Sequence, residues 1–299
     1  MSPVSPAFRV AYEEALRLWP VAVEPVDVET EFGVTRVNAC GPVDGPPLVL
    51  LSGGGTTSAG WYARAGGLAR THRVHAVDLM GGPGLSVPGG RALRRPADLA
   101  AWLDGVLAAL GVERAALLGH SYGGWIALSY AVHAATGVPS CSSRACGKVE
   151  RLVLLDPTQC FGGFRKPYLV RAVPLLVAPG EAAARRFLAW ESRGGPGVAP
   201  EVVRLMGVGG REFRGWRPVT GPRPAVGRPG ADRLGDLARR TLVVLAGRSR
   251  AHDARRVAEA AGRMLAGARV VTVPGVGHHA LPELRSAVLE RELSGFLAG

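Results

Sequence analysis

Ala115-Ala116-Leu117-Leu118-Gly119-His120-Ser121-Tyr122-Gly123-Gly124 is the stretch that decides the fold. An apolar run leads into a serine flanked by glycines, and residues 125–135 continue as a helix, so the order is strand, G-x-S-x-G turn, helix. The spacing has a steric reason. A serine whose hydroxyl projects from the carboxyl edge of a sheet must occupy a strained, tight turn, and Gly119 and Gly123 remove side chains that would collide there. The helix that follows points its positive end at the same place. Ser121 is therefore expected to act as a nucleophile rather than merely to cap a helix.

On both sides of this stretch the same alternation continues. Short runs rich in valine and leucine at residues 48–51, 74–77, 152–155, 242–245 and 270–273 read as strands buried on both faces, as in a parallel sheet. Before them, residues 7–19 read as an amphipathic helix stopped by Pro20, and residues 26–40 as two strands turning near Gly33. A crossover helix starts at Pro96, carries Leu99, Leu103, Val106, Leu107 and Leu110 on one stripe, and ends at Gly111. A last helix is expected from about Pro282, with Leu284, Val288, Leu289, Leu293 and Phe296. The pattern implies an open α/β sheet with helices on both faces. It is interrupted once. Residues 157–238 hold no strand-like run, only helical fragments at 168–177 and 181–190 and a Gly-, Pro- and Arg-rich stretch at 207–230. So long a connection reads as an inserted helical cap, leaving a core of residues 1–156 and 239–299.

Composition narrows the classes of function. At 299 residues, 47% hydrophobic and 20% charged, the chain has an ordinary globular balance. The formal charge of +12 raises nucleic acid or an anionic membrane as a partner. However, the only lysines among the 36 basic residues are Lys148 and Lys166, and Asn38 and Ile126 are the sole residues of their types, a bias expected of a GC-rich genome. The arginines are scattered among acidic residues and not gathered beside aromatic ones, so neither nucleic acid nor membrane is expected as a partner. Cys40, Cys141, Cys146 and Cys160 lack metal-ligand spacing, and reduced cysteines are expected, although Cys141 and Cys146 could close a small loop in an oxidising compartment. Glu13 and Glu14 stand where a signal peptide would need an apolar core, and no run is long enough to span a membrane, so the expected compartment is the cytoplasm.

With these elements in place the chain resembles the α/β-hydrolase superfamily from Val26 to the C-terminal helix. The resemblance implies a mostly parallel, eight-stranded sheet and a serine hydrolase, of carboxylesterase type, that forms an acyl-enzyme with a small-molecule substrate and needs neither metal nor organic cofactor. Leu50-Leu51-Ser52-Gly53-Gly54-Gly55 matches the family's oxyanion loop, with Ser52 in place of the usual histidine, and implies the N–H groups of Gly54 and Tyr122 as donors. Asp78-Leu79-Met80-Gly81-Gly82-Pro83-Gly84-Leu85-Ser86 is similar to a second family signature, in which Asp78 is expected to hold backbone amides. Gly275-Val276-Gly277-His278 resembles the family's G-x-G-H turn and puts His278 at the position of the base, with His279 as the register-shifted alternative.

The acid stays open. Where the family's G-x-x-D aspartate would fall, Gly247-Arg248-Ser249-Arg250 carries an arginine. Asp253 lies three residues further on, where it would also make a good N-cap; Asp156, in Leu154-Leu155-Asp156-Pro157, occupies the place used by some lipases. Ester, thioester and lactone substrates are all compatible with this set. So are carbon–carbon bond hydrolysis, acyl transfer, and a binding protein that has lost turnover. Phe161, Phe164, Tyr168, Trp190 and Trp216 are candidates for an apolar pocket in the cap.

Overall fold

The computed structural model describes residues 4–136, 148–224 and 232–299. Cys141 and Cys146 lie outside the described residues. The strands are β1 (Glu24–Thr30), β2 (Gly33–Cys40), β3 (Pro47–Leu51), β4 (Arg73–Val77), the two-residue β5 (Val87–Pro88), β6 (Ala115–His120), β7 (Val149–Leu155), β8 (Thr241–Ala246) and β9 (Arg269–Val273). Eight of them form one sheet in the order β1-β2-β4-β3-β6-β7-β8-β9, and β5 pairs with β2 as a ninth. β2 pairs antiparallel with β1 and β4; every pairing from β4 and β3 across to β9 is parallel.

The central strands read as unbroken apolar runs because successive residues enter two different cores. Leu48, Leu50, Leu118, Val153, Leu155, Leu242 and Val244 face one cluster, whereas Val49, Leu51, Leu117, Leu154, Val243 and Leu245 face the other. This is the two-residue period of a strand covered on both sides. One face is covered by α3 (Pro96–Ala109), α4 (Tyr122–Thr136) and α9 (Ala254–Met264), the other by α2 (Tyr62–Leu68) and α10 (Ala287–Ala298). Among the described residues no helix is long and apolar enough to cross a membrane.

Between β7 and β8 the chain forms α5 (Lys166–Val177), α6 (Glu181–Glu191), α7 (Pro200–Glu212) and α8 (Asp232–Arg239). The N-terminal helix α1 (Pro6–Leu16) packs Phe8, Ala11 and Tyr12 against Leu205 of α7 and Ala59.

Two sequence expectations need correction. The stretch beginning at Gly207 was expected to be loop-like, but its first six residues belong to α7. Glycine weakens an isolated helix, yet here it permits contact: a Cβ on Gly207 would lie 2.4 Å from the Glu181 Cα, and one on Gly209 3.2 Å from the Phe8 ring. The last helix begins at Ala287, not near Pro282, with Ser286 as its N-cap. Residues 282–286 are held outside the helix by the buried Arg64, whose guanidinium donates to the carbonyls of Pro282 and Leu284.

Candidate active site

β6 ends at His120 and α4 begins at Tyr122, so Ser121 alone makes the turn, at φ +54°. The close packing around it accounts for both flanking glycines. A Cβ on Gly119 would stand 2.3 Å from the Gly123 carbonyl oxygen, and one on Gly123 2.1 Å from that of Leu51. Such distances are closed to any side chain. The backbone of Ser121 is fixed by the end of β7: its N–H donates to Leu155 O at 3.0 Å and its carbonyl accepts from Thr158 N at 3.3 Å.

His278 follows β9 and is fully buried. Its Nε2 is 2.8 Å from Ser121 Oγ, and its Nδ1 is 2.6 Å from Asp156 Oδ2. The structure thus brings Ser121, His278 and Asp156 into one hydrogen-bonded row. Asp253 is not part of it. Its carboxylate caps α9 by accepting from Arg256 N at 3.1 Å, on the exposed side of the loop, which is the structural role its position before a helix allows. His279 is not part of the row either; its ring stacks on Tyr168.

Asp156 sits at the end of β7 at φ +41° with no solvent exposure. Besides His278 Nδ1 it accepts the Ala246 N–H (2.9 Å), the Ser249 hydroxyl (2.7 Å) and His252 Nε2 (3.0 Å). Burial alone would raise its carboxyl, but hydrogen bonds from His252 and His278 outweigh burial and hold it far below the usual carboxylate range. For His278, burial lowers the imidazole, and the Asp156 carboxylate offsets only part of this, so the ring is neutral near pH 7 and free to accept a proton at Nε2. His120 is likewise driven well below its ordinary value, by burial first and then by His278; its Nε2–H donates to the His278 carbonyl at 3.0 Å.

Ser249, His252 and His120 were not foreseen. Ser249 and His252 lie on the loop that lacks the family's aspartate, and nothing local marks them as partners of a carboxylate at residue 156. His120, inside the G-x-S-x-G motif, is read there as a variable position, and only the return of residue 278 to its side gives it a role.

Gly54 faces Tyr122 across the turn, where a Cβ on Gly54 would lie 3.6 Å from the Tyr122 Cβ. Tyr122 is the first residue of α4, and the first N–H groups of a helix have no partner within it. Ser52, which replaces the usual histidine, closes its loop by donating to Thr57 O at 3.0 Å. Asp78 lies below, accepting the N–H groups of Ser58 and Leu85 at 2.8 and 2.7 Å, together with the hydroxyls of Ser58 and Tyr12.

The expected aromatic residues separate. Tyr168 meets the His278 ring edge-on at 6.1 Å and stacks on Phe164, with Trp190 beside it. Trp216 lies on the other side, against Tyr122. Phe161 belongs to the core under the sheet. Two clefts flank the row. One of about 440 Å³ is lined by Gly53, Trp61, His120, Leu188, His279 and Glu283, and one of about 780 Å³ by Met80, Leu99, Tyr122, Trp216 and Val219 among others. Among the described residues no cluster of three His, Cys, Asp or Glu side chains could hold a metal ion.

Glu283, in the smaller cleft, accepts the Tyr62 hydroxyl and the Ala199 N–H on the same oxygen, both at 2.8 Å. Burial pushes its carboxyl up to about 7. Between the unfolded value of about 4.3 and the folded one, the folded chain binds more protons than the unfolded, so this group's contribution to stability falls as pH rises through that window. The amide oxygen of Glu283→Gln can keep both hydrogen bonds and carries no charge. The variant should melt with the wild type near pH 4 and be the more stable by roughly 3 kcal/mol at pH 8. A difference that does not change between pH 4 and 8 would show that Glu283 titrates normally.

Residues 48–291 match the Alpha/beta hydrolase family. Carboxylesterase YbfK of Bacillus subtilis (strain 168) is 35% identical over 183 residues, which are 61% of this chain and 57% of that protein; by sequence the chain spans little more than half of this relative's length. The crystal structure of carboxylesterase CesB (YbfK) from Bacillus subtilis superposes with a TM-score of 0.81 at 28% identity, covering 98% of this chain and 97% of that one. That of naproxen esterase (carboxylesterase NP) from Bacillus subtilis, at 24% identity, shares the fold with a TM-score of 0.80 over 99% of this chain and 100% of that one.

Proposed function

Because this chain belongs to the alpha/beta hydrolase family, we propose that it is a serine carboxylesterase that hydrolyses a small organic ester through an acyl-enzyme on Ser121. The observation that carries this reading is the continuous row from Ser121 Oγ through His278 to the buried Asp156, at 2.8 and 2.6 Å. The esterases among its relatives support the same class of reaction.

The chemistry follows from the row. Ser121 Oγ bonds to the ester carbonyl carbon while its proton passes to His278 Nε2. The carbonyl π electrons move onto oxygen, and that oxyanion is met by the N–H groups of Gly54 and Tyr122, with the positive end of α4 behind the second donor. When the carbonyl re-forms, the bond to the alcohol oxygen breaks and His278 returns the proton to it. Water then repeats the sequence on the acyl-enzyme, leaving the carboxylic acid and free Ser121. Asp156 keeps the Nδ1–H tautomer of His278 and stabilises the imidazolium without taking the proton. Residues 157–238 act as the cap, and Phe164, Tyr168, Trp190 and Trp216 present apolar surface to the substrate's two ends.

A fluorophosphonate should label the protein once per chain, at Ser121, with loss of esterase activity in proportion. A panel of p-nitrophenyl esters, thioesters and lactones should show turnover of the esters. A protein that neither labels nor hydrolyses any member of the panel is not an esterase.

A further inference from the structure

Glu191, the last residue of α6, is almost fully buried. A carboxylate is badly placed there, since the C-terminal end of a helix carries negative partial charge. Its hydrogen-bond partners lie on the loop of the base: Oε1 accepts the His278 N–H at 2.6 Å and Oε2 the His279 N–H at 3.2 Å. The nearest ionisable partner is the His279 ring, 3.8 Å away. Gly277 makes room for this approach, because a Cβ there would lie 2.8 Å from both carboxylate oxygens. His278 is therefore gripped at four points. Glu191 holds its N–H, His120 its carbonyl, Asp156 its Nδ1, and Nε2 is left to Ser121.

We propose that Glu191 is a positioning residue for His278: its carboxylate sets the backbone of residues 277–279 and, as a second buried negative charge, sustains the imidazolium formed during turnover. This rests on His278 being the general base. It also makes alignment of the base depend on how α6, which packs against α5 and α7, is seated over the sheet. Burial opposes ionisation of Glu191, but its contacts with His279 and His278 outweigh this and keep the group ionised at neutral pH. The groups facing His278 are Asp156 from β7, Glu191 from α6, His120 from β6, His252 from the loop after β8, Tyr168 from α5 and the adjacent His279. Only Asp156 and Glu191 of these bring negative charge.

Glu191→Gln removes the charge and turns an amide N–H₂ toward one of two N–H donors. We expect kcat for the best ester to fall about 10- to 100-fold, with KM changed by less than about threefold, since the loss is of a charge-assisted hydrogen bond and not of substrate contact. The acid limb of the kcat/KM profile should move down by about half to one pH unit, because an imidazolium with less support loses its proton more readily. Glu191→Asp keeps the charge, so its limb should stay in place while kcat falls less. Rates are taken per active site titrated with fluorophosphonate, which removes any unfolded fraction. If Glu191→Gln folds too poorly to assay, Glu191→Asp decides: a lower kcat with an unmoved limb supports the proposal, and an unchanged kcat overturns it. Glu191→Gln with wild-type kcat and an unmoved limb overturns it also, whatever its melting temperature. Ser121→Ala measured in parallel separates the two readings, since an active Ser121→Ala overturns the esterase mechanism itself, whereas an inactive one leaves Glu191 to be judged on its own profile.

Discussion

Ser121→Ala is expected to lower kcat/KM for the best ester by about 10⁴-fold or more and to abolish fluorophosphonate labelling. The size follows from the role: without Oγ no acyl-enzyme can form, and what remains is binding and the N–H groups of Gly54 and Tyr122, which can still polarise a carbonyl for attack by water. The fold should be almost untouched. The hydroxyl's one hydrogen bond within the row is to His278 Nε2, worth about 1 kcal/mol, and the close-packed atoms around the turn are backbone. The checks are steady-state rates on enzyme free of wild type, mass spectrometry of the labelled protein, and a thermal melt. Wild-type turnover by a folded Ser121→Ala would remove Ser121 from the chemistry.

Asp156→Asn should come next in effect, with turnover reduced roughly 10³- to 10⁴-fold, because the amide favours the wrong tautomer of His278 and supplies no charge for its imidazolium. Unlike Ser121→Ala it should also destabilise. Four donors converge on the Asp156 carboxylate, so an asparagine N–H₂ must face at least one of them, at a cost of about 1–3 kcal/mol. Its folded value is depressed, so its contribution to stability is present above the unfolded value of about 3.9 and is lost as pH falls toward the much lower folded one. The gap in denaturation midpoint between wild type and Asp156→Asn should accordingly be widest near neutrality and narrow below about pH 4. Asp253→Asn provides the contrast. Asparagine caps a helix about as well as aspartate, so both turnover and stability should stay near wild type. An active Asp156→Asn beside an inactive Asp253→Asn would reverse the assignment of the acid.

Much of this could be read from sequence because it is local. The strands announce themselves through runs such as Leu48 to Leu51, and Ser121 through a short G-x-S-x-G pattern, although the backbone that Gly123 must admit is that of Leu51, far off in sequence. The G-x-G-H turn marks His278 in the same way, by a short pattern next to a strand. The acid was different. Asp156 and Asp253 both follow strands at the same edge of the sheet, and each has a sufficient local reason to be there, as a turn-former before proline and as a helix cap. What separates them is the convergence of Ala246, Ser249 and His252 on one carboxylate, a contact across some 90 residues that no spacing rule encodes. Glu191 was hidden more thoroughly, since at the end of an amphipathic helix it looks like an ordinary solvated charge. For α7, the glycines that weigh against a helix in a local reading are the residues that let it approach Glu181 and Phe8.

Ser121 and Asp156 share a feature with consequences for anyone who would engineer the chain. Both hold a left-handed backbone, at φ +54° and +41°, where an L-residue is disfavoured by roughly 1–2 kcal/mol and glycine is not. The two positions respond differently to glycine: at 121 relief of that strain is set against a single hydrogen bond worth about 1 kcal/mol, so selection for heat tolerance does not protect the nucleophile, whereas at 156 glycine would leave four buried donors unpaired and is itself destabilising. Libraries ranked by melting temperature or by soluble yield would therefore retain inert molecules that have lost Ser121. Any screen for a hardier variant should score turnover in the same well, or hold residue 121 fixed from the start.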